Sequence, residues 1–222
     1  RLPWLPDDLT DMPVSLTQRI GPVKVSDVSV TERSYGGKTG GERVAERRAR
    51  LVDATIEVLS ADGEAHTTMT AICAAAGLTE RYFYESFSGL DDAKLAALDS
   101  VCHEILALAT AKVEATVDAS PAARVHAVME AFVQWVSQAS AKARVAVIHA
   151  SANPRMRARR SELLALFADF VAREAAELYG DEAWPVERAR VHGLVYIAGF
   201  AELVASWLND DVQLTAAELV EE

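Results

Sequence analysis

The sequence has few residues that could form a disulfide framework or hold a metal ion. Its 222 residues include only two cysteines, Cys73 and Cys102. Both lie within apolar helical patterns, and neither has the spacing of a metal site. We expect two buried thiols, no metal site and no cofactor.

Long apolar runs are also missing, although half of the residues are hydrophobic. No run approaches the ~18 residues that a membrane-spanning helix needs, and no signal-peptide pattern opens the chain. We expect a soluble cytoplasmic protein with no membrane partner. A chain of this length can bury a substantial core, as one large or two small domains.

Basic residues are outnumbered, since 22 lysines and arginines stand against 33 acidic residues, for a net charge of -11. This balance argues at first against nucleic acid, but net charge describes the whole surface and not one face. Between residues 33 and 50 the balance is six basic minus two acidic residues, or +4. The basic residues there are Arg33, Lys38, Arg43, Arg47, Arg48 and Arg50. The pattern permits DNA binding at this one edge.

The apolar spacing indicates helices throughout, with no strand signal and no repeat. Residues 1–41 carry four prolines and five glycines without any period, which predicts a mobile arm. A first helix follows from Glu42 to Asp62-Gly63, with Val44 on its apolar side. A long fourth helix runs from Leu90 to about Val117, and further helices cover most of the remaining chain. The fold class is all-α.

Between Thr68 and Phe87, two short helical runs are joined by a tight break at Gly77. Thr68 and Thr79 are good N-caps for the two runs, and glycine suits the left-handed end of the first. Phe83 and Phe87 lie at i, i+4 and would bury one side of the second run. The spacing predicts a helix-turn-helix.

This stretch resembles the DNA-binding domain of the TetR family of bacterial transcriptional repressors. The most specific part is Phe83-Tyr84-Glu85-Ser86-Phe87, an aromatic-Tyr-x-x-Phe ending, and the resemblance covers roughly residues 42–99. Two positions depart from the family pattern. Thr70 stands where a basic residue is common and Leu90 where a lysine is common, and both positions usually touch the DNA backbone.

The resemblance implies a three-helix helix-turn-helix head that binds double-stranded operator DNA, over residues 42–89. It also implies a helical ligand-binding and dimerisation domain over residues 90–222. On the head, the second helix would present outward residues to bases or phosphates, and the helix ends would contact the backbone. The candidate DNA-binding residues are Arg43, Arg47, Thr68, Thr70, Thr79, Glu80, Arg81, Tyr82 and Tyr84.

The last long helix, from about Pro185 to Leu208, is apolar on nearly all sides and rich in small residues. Small residues allow close helix approach, and an isologous four-helix interface between two copies would bury them. We expect a homodimer. The candidate interface residues are Ala198, Ala201, Ala205 and Leu208.

Apolar residues on several helices of this domain suit a pocket for a small hydrophobic effector, although aromatic residues at helical spacing are more often plain core. The candidate ligand-binding residues are Cys102, Ile105, Leu106, Met129, Phe132, Trp135, His149, Phe167, Phe170, Tyr196 and Phe200. His149, His192 and Glu202 are polar groups within apolar patterns, and we expect them to be buried and paired. A ligand wedged against the fourth helix would tilt its Leu90 end and release DNA.

Two other functions stay open at this point. A helical small-molecule-binding enzyme is one, and a helix-turn-helix that binds only protein is the other. Cys102 and His103 are adjacent, but adjacent helical residues diverge by ~100° and cannot form a nucleophile–base pair. We therefore expect no catalytic residues, and the favoured function is a repressor released from its operator by its ligand.

Overall fold

The computed structural model describes residues 39–221, and all regular structure in this range is helical. The helices are α1 (Gly40–His66), α2 (Met69–Ala76), α3 (Glu80–Ser86), α4 (Leu90–Ala115), α5 (Pro121–Gln138), α6 (Ser140–Val147), α7 (Pro154–Tyr179), α8 (Val186–Leu208) and α9 (Ala216–Glu221). Short 3-10 turns, His149–Ser151 and Gly180–Glu182, precede and follow α7. The all-α prediction is confirmed. The expected arm lies outside the described residues, except for 39–41.

The described residues form two compact units, an N-terminal unit of residues 39–99 and a C-terminal unit of residues 100–221. The division lies within α4 and not after residue 89, where the sequence predicted a domain boundary. Ala93, Ala97 and Leu98 on the first turns of α4 are buried, which is consistent with those turns belonging to the N-terminal unit.

Helix α1 begins two residues before the predicted start, because Thr39 and Glu42 form a capping box. The Glu42 amide donates to the Thr39 hydroxyl over 3.2 Å, and the Thr39 amide donates to the Glu42 carboxylate over 2.6 Å. The regular part ends at Gly63, whose φ is 73°, at the predicted position. Val44 was expected on the apolar side but is exposed, because the buried face of α1 begins only at Leu51.

The C-terminal unit has a core to which four of its helices contribute. Its buried centre consists of Val133, Val136, Ala143, Val204 and Leu219, from α5, α6, α8 and α9. Helices α7 and α8 pack along one another, and Gly193 of α8 lies against the backbone of Ala168 of α7. A Cβ atom there would lie 2.9 Å from the carbonyl oxygen of Ala168, so only glycine fits.

Helix α8 is more apolar than predicted from the sequence, where no apolar run approached the length of a membrane span. By length and composition alone it could cross a membrane, yet only 11% of its most apolar 18-residue stretch is buried within the chain. Val191, Leu194 and Val195 lie at i, i+3 and i+4, and all three are exposed. They therefore form one apolar stripe on the surface of the C-terminal unit.

Candidate functional site

The turn between α2 and α3 has the geometry that the sequence predicted. The Thr68 hydroxyl accepts from the Ala71 amide over 3.2 Å, so α2 has its predicted N-cap. Gly77 ends α2 in the left-handed conformation, with φ 60° and ψ 38°. Thr79 occupies the N-cap position of α3, but its side chain makes no capping hydrogen bond.

The inner side of α3 rests on a phenylalanine pair. Phe83 is 1% exposed, and its ring centroid lies 5.5 Å from that of Phe87. Ile72 of α2 is fully buried. Arg50 of α1 donates to the carbonyl of Ala76 over 2.6 Å and so satisfies a terminal carbonyl of α2. The Arg50 hydrogen bond ties α2 to α1.

The outer side of α3 presents polar and aromatic side chains. Tyr84 is 63% exposed, and Glu80 and Arg81 are exposed beside it. Arg81 donates from Nε to Glu85 over 2.9 Å, and this hydrogen bond raises the pKa of the guanidinium. Arg81 is charged like any arginine, and it is exposed, as a contact to a guanine or a phosphate requires.

Tyr82 is held by a residue far away in the sequence. The guanidinium of Arg47 lies 4.5 Å from the centroid of the Tyr82 ring, within cation–π range. This contact places a basic residue of α1 beside the outer side of α3. Sequence reasoning proposed both residues separately, but the pairing spans two helices and leaves no local signal.

The remaining candidates of the N-terminal unit lie near helix ends or on α1. Thr68, Thr70 and Thr79 are exposed, and Arg43 is half-buried. Of the other basic residues, Arg33 and Lys38 lie outside the described residues, while the guanidinium of Arg48 lies 4.8 Å from the ring centroid of Phe87.

Lys94, one turn into α4, is buried and pairs with Glu64 over 2.8 Å. With Leu90 at the start of the helix, this first turn presents no exposed lysine. The thiol of Cys73 is buried, and burial, together with the charge of Glu80, raises its pKa. Cys73 is thus a buried free thiol, as predicted.

In the C-terminal unit, five of the predicted ligand-binding residues lie together along α5 and α8. The Tyr196 hydroxyl donates to the sulfur of Met129 over 3.4 Å, and the rings of Tyr196 and Phe200 are parallel, 6.2 Å apart. Phe132 contacts both Phe200, at 5.7 Å, and Trp135, at 5.9 Å. We call these five residues the aromatic row. Tyr196 as a whole is 42% exposed, and the partial burial of its phenol raises the pKa of that group.

A carboxylate on α4 holds one end of the aromatic row, and sequence reasoning missed it. Glu104 accepts from the indole N–H of Trp135 over 2.7 Å and from the ammonium of Lys142 over 2.5 Å. Burial alone would raise the pKa of Glu104, but these two hydrogen bonds outweigh it and lower the pKa. Glu104 therefore links α4, α5 and α6. On the same helix Cys102 is buried, and Ile105 and Leu106 are half-buried.

The other predicted ligand-binding residues belong to α7 and the turn before it. Phe170 is buried, and Phe167 and His149 are half-buried.

The expectation that His192 and Glu202 are buried is wrong. Both lie on exposed positions of α8, because the apolar stripe of that helix faces outward there. The rings of His192 and Trp184 are 4.2 Å apart, and Glu202 pairs with Arg160 over 2.5 Å.

The predicted interface residues also lie on α8. Ala198, Ala201, Ala205 and Leu208 are all half-buried. Leu208 packs against the core of the C-terminal unit, so part of its surface is already covered within the chain.

A buried ion pair joins α5 and α7. Its two residues are far apart in the sequence, so no local sequence pattern predicts it. Arg124 and Glu174 approach to 3.5 Å, and their side chains are 9% and 10% exposed. Burial raises the pKa of the Glu174 carboxyl, against the opposing effect of the Arg124 charge. Within the described chain, Nε and Nη2 of Arg124 and both carboxylate oxygens of Glu174 have no hydrogen-bond partner.

No protein-family model matches the sequence, and no curated protein matches it significantly. Solved structures do match. The fatty acid degradation regulator FadR from Bacillus halodurans superposes with a TM-score of 0.65 at 15% identity, covering 79% of this chain and 91% of that one. The transcriptional regulator FadR from Bacillus subtilis, solved in complex with stearoyl-CoA, superposes with a TM-score of 0.60 at 17% identity, covering 78% of this chain and 91% of that one. A TetR-like transcriptional regulator from Rhodococcus sp. RHA1 superposes with a TM-score of 0.60 at 18% identity, covering 80% of this chain and 91% of that one.

The chain has the fold of the TetR-family transcriptional regulators. The match extends well beyond residues 42–99, to which the sequence resemblance was confined, because it covers about four fifths of the chain.

Proposed function

We propose that the chain is a DNA-binding transcriptional regulator. The observation that carries this proposal is the construction of α3, whose inner side is buried through Phe83 and whose outer side exposes Arg81 and Tyr84. A surface helix needs only a buried inner side for stability. An outer side that combines a charged guanidinium with exposed aromatic rings suits the edges and phosphates of DNA.

The regulator acts as a homodimer in this proposal. The stripe of Val191, Leu194 and Val195 continues at helical spacing into Ala198 and Ala205. An exposed apolar stripe of this kind marks an interaction surface. Two copies of α8 would cover each other's stripes. The helix-turn-helix heads of the two copies would then contact DNA half-sites about one helical turn, roughly 34 Å, apart.

The regulator is a repressor that a small hydrophobic ligand releases from its operator. The aromatic row and the buried pair lie in the C-terminal unit, and α4, which carries Glu104, belongs to both units. A ligand that displaces α4 would alter the head at its other end. Coupling of about 1–3 kcal/mol weakens DNA binding roughly 5–150-fold. The protein works in the cytoplasm, where operator DNA is found, with no cofactor and no catalytic step.

The direct test is an electrophoretic mobility shift with the full chain on DNA flanking its own gene, against a random duplex of equal length. A specific regulator should prefer one flanking site by about a thousandfold or more at physiological salt. Equal binding to both duplexes, or none to either, would contradict the proposal. Such a result would favour a helical enzyme or a protein-interaction module.

A further inference from the structure

The exposed face of α8 carries one charged residue on each side of its apolar centre. Arg188 is seven residues before Val195 and Glu202 is seven residues after it, and all three are exposed. Fourteen residues make nearly four helical turns, so Arg188 and Glu202 lie on the same face, about 21 Å apart. Glu187 and Arg190 project from other sides of the helix and approach each other to 4.0 Å. The face is therefore positive near its N-terminal end and negative near its C-terminal end.

Two identical helices can pair through such a face in a parallel or an antiparallel direction. In a parallel pair every residue faces its own copy, so Arg188 faces Arg188 and Glu202 faces Glu202, and like charges repel. In an antiparallel pair with its twofold axis at Val195, residues equally far before and after Val195 face one another. Arg188 of each copy then faces Glu202 of the other. The charges of α8 therefore favour the antiparallel pair.

The sizes of the side chains fit the same register. Val191 is four residues before Val195 and Gly199 is four residues after it, so the two would face each other across the twofold axis. Gly199 is exposed, and a Cβ atom there would meet no packed neighbour within 4 Å in the described part of the chain. Glycine inside a helix is destabilising relative to alanine, and packing within the chain does not require it here. Val191 of a second copy would occupy the space that a side chain at Gly199 would fill.

Both charged groups can still bind a partner outside their own chain. The guanidinium of Arg188 lies 4.7 Å from the centroid of the Trp184 ring. Stacking of this kind covers a flat face of the guanidinium, whose N–H groups at the edge can still donate. Glu202 accepts from Arg160 with one carboxylate oxygen, yet its side chain is 68% exposed. Since a carboxylate can accept several hydrogen bonds, Glu202 can accept from a second guanidinium.

We propose that α8 of two copies pairs antiparallel about Val195, with Arg188 of each copy bound to Glu202 of the other. This inference rests on the proposed homodimer and names its direction, its register and the residues that select the partner. The apolar stripe supplies the contact area, and the two ion pairs reject the parallel arrangement and helices with a different charge pattern.

The test measures the dimer dissociation constant by sedimentation equilibrium for the full chain and for charge-reversed variants. Arg188→Glu or Glu202→Arg alone would place like charges opposite each other at two points of the dimer. Each should weaken the dimer about a hundredfold. The double variant that carries both changes again has opposite charges facing each other, and its affinity should return to within about tenfold of the parent. Because the two positions are about 21 Å apart in one helix, only contact between copies can produce this recovery.

Lys112→Glu and Glu114→Arg are the matched controls, since they make the same changes of charge at exposed positions of α4. Both should dimerise as the parent does. Arg188→Glu and Lys112→Glu have the same net charge, so any difference between their dimer affinities reports the local repulsion. Raising the salt concentration should narrow that difference, because salt screens exposed charges. This comparison holds even if Glu202→Arg fails to fold beside Arg160.

Single variants that dimerise with parental affinity would overturn the antiparallel register and leave the homodimer standing. A folded double variant that stays as weak as the single variants would overturn it too, as would a difference between Arg188→Glu and Lys112→Glu that salt does not change. A parent protein that sediments as a monomer at every concentration would instead refute the proposed homodimer, and this inference with it. Because the assay contains no DNA, failure of the mobility shift alone would leave the sedimentation result standing.

Discussion

At the residue scale, the head depends on a few positions whose backbone or side chain has one acceptable conformation. Gly77 is the clearest, because it turns the chain from α2 into α3 with φ 60°. A side chain there is strained by roughly 1–2 kcal/mol in the left-handed region. Its Cβ would also approach Nη2 of Arg50 to 3.3 Å, the same atom that donates to Ala76.

Gly77→Ala should therefore lower the free energy of unfolding by about 1–2 kcal/mol. Chemical denaturation monitored by circular dichroism measures the change. Gly89→Ala is the matched control, since a Cβ there meets no atom within 4 Å and φ is not positive. Equal stability of the two variants would mean that the turn tolerates a side chain, which contradicts the strain expected at a positive φ.

At the element scale, the helices were largely predictable and their partners were not. The cap at Thr68 and the stop at Gly77 depend on neighbours within a few residues, so the sequence located α2 closely. Arg47 and Tyr82, or Arg124 and Glu174, are far apart in the chain, and only packing brings them together. His192 was misplaced for the same reason, since periodicity cannot tell a stripe that faces the core from one that faces outward.

For α8, Val195→Glu should produce monomers. The side chain is 68% exposed in the single chain, so the change should alter monomer stability by less than about 0.5 kcal/mol. In a dimer it would bury unpaired charge and weaken association about a hundredfold or more. Sedimentation velocity measures this, with Val125→Glu, a 47% exposed valine of α5, as the control. A Val195→Glu protein that sediments as the parent does would refute the interface.

For α4, the Glu104 contacts predict a pH dependence with a definite sign. The pKa of Glu104 is lowered in the fold, so its contribution is present above the ordinary carboxyl pKa and is lost as pH falls through the lowered value. Glu104→Gln should remove that part of the acid sensitivity, by less than about 1 kcal/mol because the carboxylate is partly exposed. Thermal melts of both proteins from neutral pH downward test this. If the stability advantage of the parent over Glu104→Gln grows as pH falls, the expectation is contradicted.

At the scale of the whole molecule, an acidic protein can still bind DNA at one place. The net charge of -11 keeps most of the surface repulsive to phosphates. Arg81 and Arg47 place two guanidinium groups beside the outer side of α3, where they offset the carboxylates of Glu80 and Glu85. The residues of the proposed DNA site follow from local motifs, whereas Arg124 and Glu174 are brought together only by the fold.

The central claim is that α3 reads DNA, and the most direct measurement is the affinity of Arg81→Ala for the operator and for random DNA across a salt series. We predict that operator binding weakens about tenfold or more, that random DNA is affected less, and that the salt dependence becomes shallower. Arg155→Ala, the same charge change on α7, should bind as the parent does. If folded, dimeric Arg81→Ala binds operator with parental affinity and salt slope, α3 is not the reading helix.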